Sequence, residues 1–321
     1  MDIINNLPPL GLDIVVLLLV IAIKSLITHL SSNTGLSFFH FYCQQLSRKV
    51  NKPNNSNQQR KIAGFIACLI TIVPVMIILW LFESYVELNI IWHALLLYLS
   101  LGSFGHVKAA KNISLSSQKH LKDQARQQLA PWVLRDVKQL TFLGMHKACI
   151  EMLQSRFLQH QFSIAFYFLL LGPYFALSAR ILIDMHHCWN LKLKTFQPFG
   201  FFANWCTQWL LWLPTRLYTT VLFLVNITRP RISKMTSFSA VIFSINNNLA
   251  LAALASILNV KLGGVAMYEG EKQRAIEFNG NARMPNTDDI NHAIGQLNLV
   301  KTLALGSLIC IVVVLAIIPT R

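Results

Sequence analysis

The chain has 321 residues, of which 54% are hydrophobic and 13% charged, with a formal net charge of +15. Soluble domains carry roughly 25% charged residues, so this balance excludes an ordinary water-soluble protein and calls for an apolar solvent. Lys and Arg gather beside apolar blocks and no nucleic-acid recognition motif accompanies them, so anionic headgroups and the positive-inside rule account for the charge, and nucleic acid is not an expected partner.

Residues 10–30 form the first apolar stretch, without the basic flank and small-residue cleavage site of a secretory signal, and are expected to be retained as a span. The linker 31–61 carries Arg48, Lys49, Lys52, Arg60 and Lys61 with no acid and is expected to be cytoplasmic. Residues 62–82 give a second strong span, and 88–102 a shorter one interrupted by His93, beyond a turn holding Glu83 and Glu87. The basic stretch 103–161, with Lys108, Lys111, Lys119, Lys122 and Arg126, reads as a cytoplasmic loop of one or two amphipathic helices.

Three later segments, 162–183, 207–228 and 238–264, are long enough to cross but broken by Gly172-Pro173, by Pro214 and Arg216, and by Asn246-Asn247-Asn248. Irregular backbone at membrane depth must line protein or water. An ionisable residue there costs about 2.5–3.5 kcal/mol, which makes Arg216 a candidate site residue, with snorkelling to the interface as the alternative. Lys192 and Lys194, then Arg229, Arg231 and Lys234, flank successive apolar segments on opposite sides, which admits a re-entrant segment. Residues 299–318 close the series. The expected fold is all-α: one polytopic integral membrane helical domain over 1–321, with five to seven spans, some broken or re-entrant, and amphipathic cytoplasmic helices. In a bacterium it would be a multi-pass inner-membrane protein with basic loops cytoplasmic and the bilayer as partner.

No phosphate loop, dinucleotide fingerprint, zinc-protease motif or nucleophile elbow is present. The six cysteines show no C-x-x-C pair and are expected to be free thiols. Two anchors remain. Arg135-Asp136 precede Lys147 and Glu151, which lie four apart on a helix and set a cation beside a carboxylate; a plain surface ion pair is the alternative. Gly263-Gly264 end an apolar helix, as a cap or as a place of close ligand approach, and Tyr268 and Gly270 downstream favour a shaped loop. Asp184, His186 and His187 do not make a metal set, because adjacent histidines face different sides of a helix. Asp288-Asp289 read first as a helix N-terminus and second as a magnesium-phosphate site.

In order, these elements resemble the CobD/CbiB family of cobalamin biosynthesis membrane proteins: Arg135-Asp136, Lys147-Ala148, Glu151, Gly172, Gly200, Pro214-x-Arg216, Asn246, Leu-Gly-Gly at 262–264 with Tyr268 and Gly270, and Asp288-Asp289-Ile290. The resemblance runs from about Leu134 through the second half of the chain, with 162–298 as a family-like core, and covers the first hundred residues as hydropathy alone. It implies an adenosylcobinamide-phosphate synthase: ATP-dependent amide formation between adenosylcobyric acid, a corrinoid, and an amino-alcohol phosphate, with ATP and Mg2+ as cofactors and other cobalamin enzymes as partners. It further implies Arg135, Asp136 and Glu151 as catalytic, and Arg216, Asn246, Gly263, Gly264, Tyr268, Gly270, Asp288 and Asp289 as substrate-binding, with Arg135 and Arg216 on phosphate. Several family acids are replaced, falling on Ser155 and Gln159, on His186, on Thr207 and Gln208, and on Leu251. A non-catalytic membrane scaffold, or a signalling protein of the distantly similar AmpE type, is therefore the alternative, and a transporter ranks third because no inverted pair of halves is apparent.

Overall fold

The structure, a computed structural model, describes residues 8–30, 37–227 and 246–317. Arg229, Arg231, Lys234 and the 238–245 portion of the expected third broken segment lie outside the described residues. Five helical stretches are long and apolar enough to cross a membrane, as a polytopic helical membrane protein requires: Pro9–Thr28, Asn57–Glu83, Asn89–Gln118, Phe142–Cys188 and Thr287–Ile317. The chain divides into two units, one of residues 1–103, 159–210 and 303–321, the other of 104–158 and 211–302.

The first unit holds α1 (Pro9–Leu30), α2 (Ser37–Val50), α3 (Asn57–Glu83), α4 (Asn89–Ser100) and α8 (Ser163–Cys188), with the start of α9 (Phe201–Val225). Helix α3 begins with a capping box in which Ser56 and Gln59 satisfy each other's backbone N–H groups. Helix α8 packs on α1, α2, α3 and α4. It is not one rod. Gly172 adopts φ 83° and ψ −178°, a conformation open essentially to glycine alone, and Pro173 follows, where a missing N–H costs nothing at the first position of a new helix. The two limbs then run back along each other. The His160 and His187 rings stack at 5.1 Å, although a straight helix would set them about 40 Å apart. At the other end the Trp92 indole N–H donates to the Tyr174 hydroxyl at 2.8 Å, and that hydroxyl donates to Glu83 at 3.0 Å. The break read at Gly172-Pro173 is thus the tip of a helical hairpin.

The second unit holds α5 (Gly105–Gln118), α6 (Lys122–Leu129), α7 (Phe142–Phe157), α10 (Asn246–Leu258), β1 (Leu262–Tyr268), β2 (Glu271–Phe278), the rest of α9 and the start of α11 (Thr287–Ile317). A π turn at Leu158–Phe162 links α7 to α8. The helix expected to reach Gly263-Gly264 stops at Leu258. There Asn259 takes a left-handed φ of 53°, and the Asn259 and Val260 N–H groups return to Ser256 O and Ala255 O, the two bonds of a Schellman cap. With the cap supplied by Asn259, the glycines enter an antiparallel β1–β2 hairpin instead. Its turn residues Glu269 and Gly270, at φ 49° and 77°, make the two-residue connection that matches strand twist.

Candidate functional site

Arg135 and Asp136 lie on the irregular stretch before α7 and meet the hairpin there. Asp136 N donates to Met267 O at 2.9 Å, and the Asp136 carboxylate accepts from Gly270 N at 2.8 Å. On α7, Glu151 accepts from Gly263 N at 3.0 Å and pairs with the Arg135 guanidinium, both side chains being only about 15% exposed. One turn earlier, Lys147 Nζ donates to Gly263 O at 3.5 Å. The cation that answers Glu151 is therefore Arg135 from the preceding stretch, while its i−4 neighbour Lys147 reaches the hairpin backbone.

Two carboxylates thus pin the hairpin at its base and its tip. Gly263 is obligatory at the base: its φ is +71°, and a Cβ would lie 2.1 Å from Ile276 O. Opposite it, Glu277 accepts from Lys261 Nζ at 2.7 Å. That hydrogen bond, with Lys147 and Arg274 nearby, holds the Glu277 carboxyl below the usual glutamate range. Arg135, Lys147, Lys261 and Arg274 set four cations against the two carboxylates of Glu151 and Glu277, a surplus suited to an anion. Tyr268 is buried within β1. Beside the stretch that carries Asp136, an open groove of about 310 Å³ is bordered by Asp123, Arg126 and Lys138.

The other expected residues fall in two further places of this unit. Arg216 donates to Asn246 Oδ1 at 3.2 Å and to Trp212 O at 2.8 Å, and stacks on the Trp212 ring. Asp289 is taken into the start of α11, where Asn286 and Asp289 cap each other's N–H groups and Arg283 grips both carboxylate oxygens at 2.6 and 2.7 Å. That grip holds the Arg283 proton more firmly than usual. Asp289 is 1% exposed and Asp288 is open. Thr287 meets His146 of α7 at 3.4 Å, next to Lys147.

The first unit carries a polar layer that motif reading passed over. Helix α4 ends at Ser100 after about 18 Å, and its last carbonyls need partners. Lys24 takes Tyr98 O and Leu101 O, and Arg180 takes Ser100 O at 3.2 Å. Two cations at a helix C-terminus answer both the unpaired carbonyls and the dipole. Asp184 accepts from Arg180 Nε at 2.7 Å and lies 3.5 Å from His160, while His187 meets Gln159 at 2.8 Å. The signal was present in the sequence: Lys24 and Arg180 each interrupt an apolar run, the same cue that singled out Arg216.

Five helical stretches long and apolar enough to span a membrane, among the described residues, define a multi-pass membrane protein. The chain belongs to the CobD/Cbib protein family, whose pattern matches residues 35–297. It is 26% identical over 231 residues to cobalamin biosynthesis protein CobD of Stutzerimonas stutzeri (strain A1501), covering 72% of this chain and 76% of that one. It is also 26% identical over 238 residues to the protein of that name from Chromobacterium violaceum, covering 74% and 76%. With the probable cobalamin biosynthesis protein CobD of Pyrococcus abyssi it shares 26% over 250 residues, covering 77% and 80%. No solved structure matches. Three positions where the resemblance would place acids are occupied here by buried neutral side chains: Thr207 is 0% exposed, Gln159 5% and Leu251 6%. Burial without a carboxylate avoids a desolvation cost of several kcal/mol per charge.

Proposed function

We propose that the chain is a membrane ligase of cobalamin assembly, joining adenosylcobyric acid to aminopropanol phosphate through an amide at the expense of ATP, to give adenosylcobinamide phosphate. The observation that carries this reading is the clamp: Arg135, Asp136, Glu151, Gly263 and Gly270 converge on one hairpin whose base is ringed by cations. Membership of a cobalamin biosynthesis family, with the resemblance set out above, supports the reaction class.

The donor set fits phosphates. Lys147, Lys261 and Arg135 would hold them, and ATP, when bound, supplies the group that makes the corrinoid carboxyl reactive. Among the described residues no group of three or more His, Cys, Asp or Glu could hold a metal ion, so Mg2+ is expected to arrive on the nucleotide and no step is assigned to it. Asp136 and Glu151 act here as positioning residues, because both carboxylates already accept backbone N–H groups. Glu151 orients Arg135, and Asp136 holds the hairpin tip. Arg216 with Asn246 offers a second phosphate contact, and Asp288 is the open acid of the set.

An inner-membrane placement with basic loops cytoplasmic belongs to the same reading. Arg60 reaches Thr195 O and Asn51 donates to it at 3.0 Å, so the linker with Arg48, Lys49 and Arg60 and the stretch with Lys192 and Lys194 share one face of the first unit. That is the arrangement the positive-inside rule favours.

The test is to incubate detergent-purified protein with adenosylcobyric acid, Mg-ATP and aminopropanol phosphate and to follow adenosylcobinamide phosphate by mass spectrometry. Product that falls at least tenfold in Lys261→Ala and in Arg135→Ala supports the ligase. No product beside an active relative sinks it in favour of a non-catalytic scaffold.

A further inference from the structure

The basic corner of the first unit carries an aromatic row that faces out of the fold. Helix α3 changes from polar to apolar in one step: Asn57, Gln58, Gln59, Arg60 and Lys61 are followed by an apolar run from Ile62 to Phe82, so the headgroup boundary of a bilayer falls beside Lys61. Gly64 decides what lies next to that boundary. A Cβ there would stand 1.9 Å from Phe199 O, so α3 touches the backbone that leads into α9. Lys61 Nζ accordingly lies 4.8 Å over the Phe201 ring, and one turn further along α3 Phe65 meets Phe202 edge-on at 4.7 Å. Trp205 and Trp209 follow Phe201 at intervals of four residues, which places all three on one face of α9. All three are exposed, and the two indoles stand 6.2 Å apart. Cations surround the row without acids among them. Arg60 reaches Thr195 O beside Lys194, Lys192 lies on the same stretch, and neither 31–82 nor 185–210 contains an Asp or Glu.

We propose that Lys61 and the row Phe201, Trp205 and Trp209 form a binding site for one anionic phospholipid, with the headgroup phosphate on Lys61 Nζ and the acyl chains along the rings and Phe65. The Phe201 ring takes one face of the ammonium and leaves its other N–H donors for phosphate oxygens. Charge complementarity selects the headgroup. Phosphatidylglycerol brings a phosphate with no cation of its own to a corner that holds only cations, whereas phosphatidylcholine carries a choline that these cations repel. The rings select a lipid over a soluble phosphate, because only a chain covers their apolar faces, and tryptophan favours the zone between headgroup and hydrocarbon. Helix α9 is not one of the five stretches whose hydropathy suits a plain crossing, and its Trp, Asn, Gln and Thr residues are the reason. Its exposed face is aromatic where an ordinary span is aliphatic.

Intact protein in detergent is titrated with phosphatidylglycerol or with phosphatidylcholine of the same chains, and bound lipid is counted by native mass spectrometry. The first phosphatidylglycerol should be held at least about fivefold more tightly than the first phosphatidylcholine, the effect of one basic residue beside an anionic headgroup. Lys61→Ala should abolish that preference and Lys61→Arg should keep it. Lys272→Ala, which removes an exposed cation from β2, should leave it unchanged. In Trp205→Ala and Trp209→Ala both lipids should weaken together, because they share the same chains. Equal binding of the two lipids by wild type, a preference that survives Lys61→Ala, one that falls as far in Lys272→Ala, or binding indifferent to both tryptophans overturns the proposal.

Discussion

Removing the Glu151 carboxylate tests whether the hairpin is clamped as described. In Glu151→Ala the Arg135 guanidinium loses its partner in a setting only 14% exposed, and Gly263 N loses its acceptor. Leaving one member of a largely buried ion pair uncompensated costs about 3–5 kcal/mol; the partial exposure argues for the lower end, about 3 kcal/mol. If that loss falls on the closed state of the hairpin, its open population rises about 100-fold, at 1.4 kcal/mol per tenfold. Lys272 and Arg274 on β2 provide a readout, because trypsin needs the strand released from its partner and native-state cleavage follows the open population. Cleavage at these two residues should accelerate about 100-fold in Glu151→Ala. In Glu151→Gln the rise should be about tenfold, since the amide oxygen still accepts from Gly263 while the charge pair is lost. Equal cleavage rates in wild type and Glu151→Ala would refute the clamp.

Two further outcomes follow from the backbone and from the hairpin charges. Gly172→Ala has free space for its methyl group, so it should destabilise through φ alone, by about 1–3 kcal/mol in a detergent melt; an unchanged melt would show that the α8 tip tolerates a side chain. Glu277, held low by Lys261, should titrate below the ordinary glutamate value of about 4.3 in a carboxyl NMR titration, and Lys261→Ala should return it toward that value. Because the folded value is depressed, the pair contributes fully above the ordinary glutamate range and is lost as pH falls through the depressed value.

Helix existence was legible because long apolar runs leave little choice: 10–30 and 62–82 fall within α1 and α3, and 299–318 lies in the distal part of α11 apart from residue 318. The start of α11 was missed as span because its polar first turns, around Asn291 and His292, belong to the second unit rather than to lipid. The glycine pair was recognised as special but placed on the wrong element, since a helix ending in glycine and a hairpin beginning with it look alike until Asn259 is seen to cap. Arg135, Asp136, Glu151, Gly263 and Gly270 were found in sequence order, and their convergence needed main-chain bonds that no side-chain pattern encodes. The six free thiols were expected, whereas the stacking of His160 on His187 depends on α8 doubling back, and the cue for that was one glycine before one proline.

That doubling back also constrains how the protein is made. The limb after Gly172, residues 173–188, is shorter than the roughly 20 residues that a solitary crossing requires, and it carries Arg180 and Asp184. That limb is not suited to leave the insertion machinery alone. It should enter the bilayer together with the limb before it, and only after α4 is in place to offer its terminal carbonyl to Arg180. The order of synthesis, α4 before α8, supplies the acceptor before the charge that needs it.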